Sequence, residues 1–323
     1  MVVSGPIPMR IHAVSLCPMS EAQKGRLAAL GELRYWDAKV GDPHMGELVS
    51  GAEILVTTPR LSVDITPFLD GCRMISLQSA GADALNLQAC AARGVRVANV
   101  PEFCTDAAAE HAFALLLAVA KRLEAGRPLL RTGGWTEALA YPTIGLRGRT
   151  LGLFGCGRIG GRIAELARAF GMDVIAAVRH PLRRRPGIEA VDFERLLADS
   201  DFLVLAAPAT PETIGVFNAR AFAAMKPAAA LINISRGSLV VERDLLDALD
   251  RGLLSGAATD VFREEPPNPS DPLLAHPRVV VSPHVAWGTS DAVERLLDIS
   301  IDNVEAYLRG EARNVVVWGN ELP

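Results

Sequence analysis

Short apolar runs alternate with amphipathic stretches along most of the chain, as strands and helices do in an α/β protein. In the first hundred residues the stretches between the runs have helical spacing, and Ser20 precedes the first of them as a candidate cap. The predicted strands are 10–16, 32–36, 54–57, 74–77 and 95–98, and the predicted helices are 20–30 and 85–93. This part of the chain therefore predicts one small unit of strands and helices.

A second alternating series begins at Thr150 and predicts a doubly wound, Rossmann-type sheet with helices between most of its strands. Its predicted strands are 151–154, 174–178, 202–206, 230–234, 256–259 and 279–282. Before it, the almost wholly apolar segment 105–123 predicts a buried helix, and the glycines and prolines of 127–149 predict an irregular segment. After it, the pattern predicts a helix over 291–309 and a closing strand over 314–318.

A glycine-rich turn follows the first strand of the second series. Gly155, Gly157 and Gly160 form G-x-G-x-x-G directly after the apolar run 151–154, and helical spacing continues to Gly171. Such glycines allow a tight turn, close approach of the backbone to a pyrophosphate, and close contact between helix and strand. The start of the helix then offers backbone N–H groups to the phosphates. Because strand, turn and helix all occur in order, the sequence predicts a bound dinucleotide.

Composition narrows the class of protein. The 323 residues are half hydrophobic and suggest about two domains, and the net charge of −4 gives no reason to expect nucleic acid or a membrane as partner. Five cysteines without metal-type spacing fit a reducing cytoplasm and predict no metal site. The N-terminus does not resemble a signal peptide, and the most apolar stretch, 107–120, is too short to span a bilayer.

Three side chains that could take part in catalysis follow late strands of the second series. They are Arg236, Glu265 and His284, and the carboxyl ends of parallel strands meet at one edge of a sheet. Each alone has a structural interpretation, as a surface cation, a loop acid or a histidine at a strand end. Together they suit hydride transfer to a ketone, with histidine supplying the proton, the carboxylate orienting the ring and arginine holding a substrate carboxylate.

The chain resembles the D-isomer-specific 2-hydroxyacid dehydrogenase family along nearly its whole length. The matching segments are SAGADALNL, NVPEFCTDAAAEHAFALLLA, LRGRTLGLFGCGRIG, PATPETIGVFN, INISRGSLVVERDLLDAL, TDVFREEP and SPHVAWGT. The resemblance implies two Rossmann-like domains: a discontinuous, flavodoxin-like substrate domain of residues 1–103 and 289–323, and a dinucleotide-binding domain of residues 104–288. It also implies a homodimer with the helix over 105–123 in its interface.

The resemblance assigns roles to individual residues. The family's catalytic set falls on Arg236, Glu265 and His284, with Arg236 and His284 also touching substrate. Its carboxylate-binding loop falls on Ser79, Ala80 and Gly81, and Trp287 is a further expected substrate contact. Expected cofactor contacts are Thr105, Gly155, Gly157, Arg158, Ile159, Gly160, Pro208, Ile234, Ser235 and Asp260. For Asp260 two interpretations stay open: contact with the cofactor or the histidine, or a strand-end acid satisfied by backbone N–H groups. His111, on an apolar helical face, is interpreted as structural.

Family members usually carry an acidic residue at the end of the second strand of this series, where it binds the ribose hydroxyls of the cofactor. This chain has no acidic residue at that position. The strand ends in Ala176, Ala177 and Val178, and basic side chains follow. A ribose 2′-phosphate would be repelled by an acid and held by arginine. The sequence therefore favours NADP(H), with NAD(H) also possible and a solvated basic loop as the alternative. The expected phosphate contacts are Arg179, His180 and Arg183.

These observations predict a cytoplasmic reductase of a small 2-ketoacid, and the segment after His284 most resembles the glycerate dehydrogenase and hydroxypyruvate or glyoxylate reductase branch. Two alternatives remain. A formate or phosphite dehydrogenase of the same superfamily is one, although formate enzymes replace the catalytic glutamate with glutamine. The other is a non-catalytic protein that senses the dinucleotide.

Overall fold

A computed structural model describes residues 8–39, 42–58, 64–135, 143–178 and 186–318. The chain divides into two compact units, Met1–Phe103 with Thr289–Pro323, and Cys104–Gly288. The strands are β1 Arg10–Ser15, β2 Glu32–Asp37, β3 Ile54–Thr57, β4 Met74–Leu77, β5 Arg96–Ala98, β6 Thr150–Phe154, β7 Asp173–Ala177, β8 Glu189–Ala190, β9 Phe202–Leu205, β10 Ala229–Asn233, β11 Leu254–Thr259, β12 Val279–Val281 and β13 Val315–Trp318. The helices are α1 Glu21–Ala28, α2 Met45–Val49, α3 Leu87–Ala92, α4 Thr105–Lys121, α5 Leu123–Arg131, α6 Arg158–Ala169, α7 Phe193–Asp199, α8 Ala219–Ala224, α9 Glu242–Asp250, α10 Pro272–Ala275 and α11 Ser290–Leu308, with 3₁₀ turns at Thr66–Phe68 and Gly237–Leu239.

The first unit contains a six-stranded sheet in the order β2-β1-β3-β4-β5-β13. Its first five strands are parallel in the flavodoxin-like order, and β13 joins the edge antiparallel to β5. Strands β3 and β4 are buried at every residue because they are covered on both faces. Apolar side chains of α11, among them Leu297 and Ile301, pack with β1, β3 and β4 on one face.

The second unit contains a seven-stranded parallel sheet in the order β8-β7-β6-β9-β10-β11-β12, with the doubly wound Rossmann arrangement. Helices α4 and α6 cover one face, and α7, α8 and α9 cover the other. The chain order reverses between β6 and β9, and a crevice at such a point is where α/β proteins bind nucleotides. The predicted α/β class with two Rossmann-like sheets is confirmed.

The prediction of an irregular segment over 127–149 is wrong at its start. Arg122 ends α4 in the left-handed conformation (φ 52°), and a separate helix, α5, then runs to Arg131. Gly126 and Pro128 lie inside α5 and account for the wrong prediction, because both residues usually interrupt helices. Residues 136–142 lie outside the described part of the chain.

Candidate active site

The glycine turn lies at the reversal point of the second sheet. Gly155 has a positive φ of 95°, and a Cβ there would come within 2.8 Å of the Ala207 nitrogen. A Cβ on Gly160 would come within 2.5 Å of the Gly155 carbonyl oxygen, so this glycine lets α6 start close to β6. At Gly157, by contrast, no described atom lies within 4 Å of an added Cβ. The turn therefore offers open space beside the first amide groups of α6, which fits a pyrophosphate.

The other expected cofactor contacts lie near this turn or at element ends of the second unit. Ser235 follows β10, and its hydroxyl donates to the Ala207 carbonyl at 2.5 Å, so the chain segments after β9 and β10 are joined. The Pro208 carbonyl accepts a hydrogen bond from Thr213 Oγ1 at 2.8 Å. Thr105 is the first residue of α4, Arg158 and Ile159 open α6, and Ile234 directly follows β10.

Glu265 and His284 form the central pair of the candidate site. His284 Nδ1 lies 2.6 Å from Glu265 Oε2, and both side chains are partly exposed (24% for His284 and 31% for Glu265). The second carboxylate oxygen, Oε1, accepts the Phe262 amide at 3.1 Å, which fixes the carboxylate against its own loop. The carboxylate thus fixes the orientation of the imidazole ring through Nδ1.

Arg236 is held at the end of β10 by its own backbone and by its neighbour Gly237. The Arg236 guanidinium donates to the Ser235 carbonyl at 2.8 Å, and the Arg236 carbonyl accepts from Asn233 Nδ2 at 2.9 Å. A Cβ on Gly237 would lie 2.1 Å from the carbonyl carbon of Phe262. The loop of Arg236 therefore packs directly on the backbone of the loop that carries Glu265.

The backbone of His284 is held in an unusual conformation. Its φ is +54°, which is uncommon for residues other than glycine. Its amide donates to the Ser282 carbonyl at 3.0 Å, and its carbonyl accepts from Trp287 Nε1 at 2.9 Å. Trp287, predicted as a substrate contact, is thus also a hydrogen-bond partner of the histidine's backbone.

Asp260 lies beneath this loop and has no exposed surface. Its carboxylate accepts hydrogen bonds from Ser282 Oγ at 2.6 Å and from the amides of Val285 and Ala286, each at 2.9 Å. Burial alone would raise the pKa of Asp260, but these bonds and a contact from His111 outweigh it and hold the pKa below its ordinary value. Asp260 therefore accepts two backbone amides, as a strand-end acid would, and also a serine hydroxyl from the segment before His284, and its contact with the cofactor stays a prediction.

The predicted substrate loop follows β4 in the first unit. Ser79 Oγ donates to the Gly81 carbonyl at 2.8 Å and accepts the Gly81 amide at 3.1 Å, and Asn99 Nδ2 donates to the Ala80 carbonyl at 2.7 Å. The loop is thus fixed by its own side chains, and the Gly81 amide points to Ser79. Its binding of a substrate carboxylate stays a prediction.

Arg179, His180 and Arg183, the predicted contacts of a 2′-phosphate, lie outside the described residues. In the described part of the chain, no group of three or more histidine, cysteine or acidic side chains could hold a metal ion, and no helix has the length and apolar character needed to cross a membrane. The five cysteines form no disulfide among the described residues.

His111 has a connection that the sequence did not reveal. Its Nε2 lies 2.8 Å from Ser282 Oγ and 3.4 Å from Asp260 Oδ1, which are residues at the ends of β12 and β11. On the sequence, His111 stands in an apolar helix more than a hundred residues before its partners. Only the docking of α4 on the sheet brings them together.

Comparison with known proteins shows the family to which the chain is similar. Residues 113–286 match the family model described as "D-isomer specific 2-hydroxyacid dehydrogenase, NAD binding domain". The chain is 33% identical to a hydroxypyruvate reductase of Blautia hydrogenotrophica over 304 residues, covering 90% of this chain and 93% of the relative. It is 36% identical to a glyoxylate reductase of Thermococcus litoralis over 293 residues, covering 87% and 88%.

A solved structure has the same fold. The TT0316 protein from Thermus thermophilus superposes with a TM-score of 0.86 at 36% identity, covering 96% of this chain and 100% of that one. The glycine turn, the His284–Glu265 pair and these matches lead to one conclusion. The chain belongs to the D-isomer-specific 2-hydroxyacid dehydrogenase family of oxidoreductases, which use a nicotinamide dinucleotide and act on CH–OH groups.

Proposed function

We propose that the protein reduces a small 2-ketoacid of the hydroxypyruvate or glyoxylate type to the D-2-hydroxyacid. The observation that carries the proposal is the 2.6 Å pair of His284 Nδ1 and Glu265 Oε2, in the unit that also contains the phosphate-binding turn. The printed names of the two relatives, a hydroxypyruvate reductase and a glyoxylate reductase, support the substrate class.

The roles follow from the chemistry of carbonyl reduction. Gly155, Gly157 and Gly160 would hold the dinucleotide, which would supply the hydride for reduction of the carbonyl group. His284 gives its Nε2 proton to the carbonyl oxygen, while Glu265 at Nδ1 orients the ring. Arg236 binds the substrate carboxylate, and its charge polarises the adjacent carbonyl group.

The family resemblance adds two further substrate contacts to this proposal. The loop of Ser79, Ala80 and Gly81 binds the carboxylate through backbone amides, and Trp287 contacts the substrate's side chain as well as the His284 carbonyl. Because the Gly81 amide donates to Ser79 Oγ, a substrate carboxylate competes with this hydroxyl or is bound by the neighbouring amides.

NADP(H) is the proposed preferred cofactor, with NAD(H) as a weaker substitute. Strand β7 ends in Ala177 without an acid, so nothing at that position in the sequence would repel a 2′-phosphate, and Arg179 follows directly after Val178. Arg179→Ala is expected to weaken the binding of NADPH much more than that of NADH, because only NADPH carries the ribose 2′-phosphate. Equal losses for both cofactors would contradict this assignment.

The protein is proposed to act in the cytoplasm as a homodimer that binds no nucleic acid. The proposed interface keeps the helix over 105–123 that the resemblance implies and extends it to α5 and the residues after it, where Leu123, Leu130 and Trp135 are each more than half exposed (63%, 57% and 63%). Leu123 and Leu130 are seven residues apart and so lie on one face of α5, and an exposed apolar face of a helix is typical of a contact with another protein.

The test is steady-state reduction of hydroxypyruvate and glyoxylate, followed by nicotinamide absorbance with NADPH and NADH in parallel. Turnover with a clear NADPH advantage is expected. Turnover that favours NADH would keep the reaction and overturn the cofactor preference. Tight cofactor binding without turnover of any 2-ketoacid would overturn the reaction and favour a dinucleotide-sensing protein.

A further inference from the structure

Helix α4 is docked on β11 so closely that its residues reach both ends of the strand. A Cβ on Gly256, near the start of β11, would lie 2.9 Å from Val119 Cγ1. Because glycine has no side chain, α4 can pack closely on the strand at this point. Two turns earlier in α4, His111 reaches Asp260 and Ser282, just past the ends of β11 and β12. The docking thus places a polar side chain of a mostly apolar helix beneath the loop that carries His284.

The direction of the hydrogen bonds in this cluster follows from the charge on Asp260. Its depressed pKa makes it an ionised acceptor, so the 2.6 Å contact between Ser282 Oγ and Asp260 Oδ1 uses the serine proton. Ser282 Oγ can then only accept from His111 Nε2 at 2.8 Å. His111 therefore carries its hydrogen on Nε2 and donates it to Ser282, with a longer contact to Asp260.

The same carboxylate holds the residues that follow His284. Asp260 accepts the amides of Val285 and Ala286, and these two peptide groups fix the chain where it leaves the left-handed conformation of His284. Without the donor at His111, the Ser282 hydroxyl loses a hydrogen-bond partner and the Asp260 carboxylate loses a contact. Because an unpaired buried polar group is costly, these two groups must move to find other partners. A change at His111 is therefore transmitted to the backbone of His284.

We propose that His111 is a positioning residue for His284, acting through Ser282 and Asp260. His111 itself touches neither substrate nor cofactor in this role. The inference rests on the proposed function only in taking His284 as the proton donor. It requires that the donor at His111 Nε2 sets the geometry of the His284–Glu265 pair.

The first measurement needs no substrate. In the unliganded protein with ¹⁵N-labelled histidine, the Nδ1 proton of His284 in its 2.6 Å bond to Glu265 should give a strongly deshielded NMR signal, identified by its loss in His284→Ala. His111→Leu, which removes the donor, should shift or broaden this signal. His111→Gln, whose amide can donate from nearly the same place, should retain it.

The second measurement is turnover with saturating cofactor. His111→Leu should lower kcat roughly 10- to 100-fold, because a small misplacement of the proton donor raises the barrier of the chemical step. The cofactor Kd should stay at the wild-type value, and His111→Gln should recover most of kcat. His276→Leu is the matched control, because it breaks a histidine–aspartate contact of 3.3 Å with Asp250 beyond the other end of the sheet.

An unchanged His284 signal and an unchanged kcat in folded His111→Leu would overturn the proposal, as would equal losses in His111→Leu and His111→Gln. If His111→Leu does not fold, Ser282→Ala breaks the same link with a smaller change in volume, and an unchanged signal in that variant overturns it. If the wild type turns over no 2-ketoacid, the proposed function fails, while the NMR comparison still decides the role of His111.

Discussion

At the scale of single residues, the site depends on groups that hold His284 as much as on His284 itself. Glu265 holds its ring, Trp287 holds its carbonyl, and Asp260 holds the two amides that follow it. A histidine in a left-handed conformation needs such support, because the conformation is costly for residues with a side chain.

His284→Ala is expected to lower kcat by roughly 10²- to 10⁴-fold, the range for loss of a general acid. The cofactor Kd should not change, because the glycine turn at which the phosphates are proposed to bind is separate from the histidine. Steady-state kinetics and a fluorescence titration with NADPH check both parts. Near-wild-type turnover would contradict the role of His284, and His276→Ala serves as the control for loss of a histidine.

Asp260→Asn is expected to lower the free energy of unfolding at pH 7 by about 2 kcal/mol, which would appear as a lower urea midpoint. The reason is the loss of a buried ionised acceptor of several hydrogen bonds. The pKa of Asp260 is lower in the folded protein than in the unfolded chain, where it is about 4. The carboxylate therefore stabilises the fold fully at pH values above the pKa of the unfolded chain, and this stabilisation is lost as the pH falls through the pKa of the folded protein. The difference between variant and wild type should therefore shrink below about pH 4.

Urea unfolding at a series of pH values measures this dependence. Asp250→Asn, at an exposed position in the same unit, is the control and should show little change at any pH. A difference between Asp260→Asn and wild type that stays constant from neutral to acidic pH would contradict the argument from ionisation.

At the scale of elements, two glycines of the turn, Gly157 and Gly160, have separable roles. Gly160→Ala is expected to destabilise the protein, because the new Cβ would overlap the Gly155 carbonyl, with a cost of roughly 1–3 kcal/mol. Gly157→Ala should leave the melting temperature nearly unchanged, since its φ is −73° and the Cβ enters open space.

The pyrophosphate is expected in that open space. Gly157→Ala should therefore still raise the dinucleotide Kd by about tenfold or more, because the new methyl group would interfere with phosphates that approach the backbone closely. Thermal unfolding and calorimetric titration of the two variants measure both effects. Unchanged cofactor affinity in Gly157→Ala would place the phosphates elsewhere.

The elements could be predicted where burial dominates. Strands β3 and β4 match their predicted bounds at both ends, because a run of buried apolar side chains begins and ends with the strand. Helix α5 could not be predicted, because it has few buried side chains and contains Gly126 and Pro128. The residues of the His284–Glu265 pair were predicted from their strand ends, whereas the partners of His111 depend on a helix-to-strand contact that no local pattern records.

At the scale of the whole molecule, α5 is the surface on which the proposed homodimer depends. Leu130→Asp places a charge at an exposed apolar position and is expected to convert a dimer into a monomer without unfolding either unit. Sedimentation velocity and circular dichroism check mass and fold. Phe68→Asp, an exposed apolar position in the first unit, is the control. A wild-type monomer, or a dimer that persists in Leu130→Asp, would contradict the proposed interface.

The discontinuity of the first unit has a consequence for how the protein is made. Leu297, Ile301 and Val304 of α11 fill the same core as Ile11 of β1, and β13 completes the sheet beside β5. A ribosome delivers the first hundred residues long before these segments, so that core stays open while the entire second unit is synthesised. The nucleotide-binding sheet, which is continuous in the chain, can close first during translation. The early strands then depend on the last-made helix to cover them, and a nascent chain stalled before Thr289 would expose their apolar faces to chaperones and proteases.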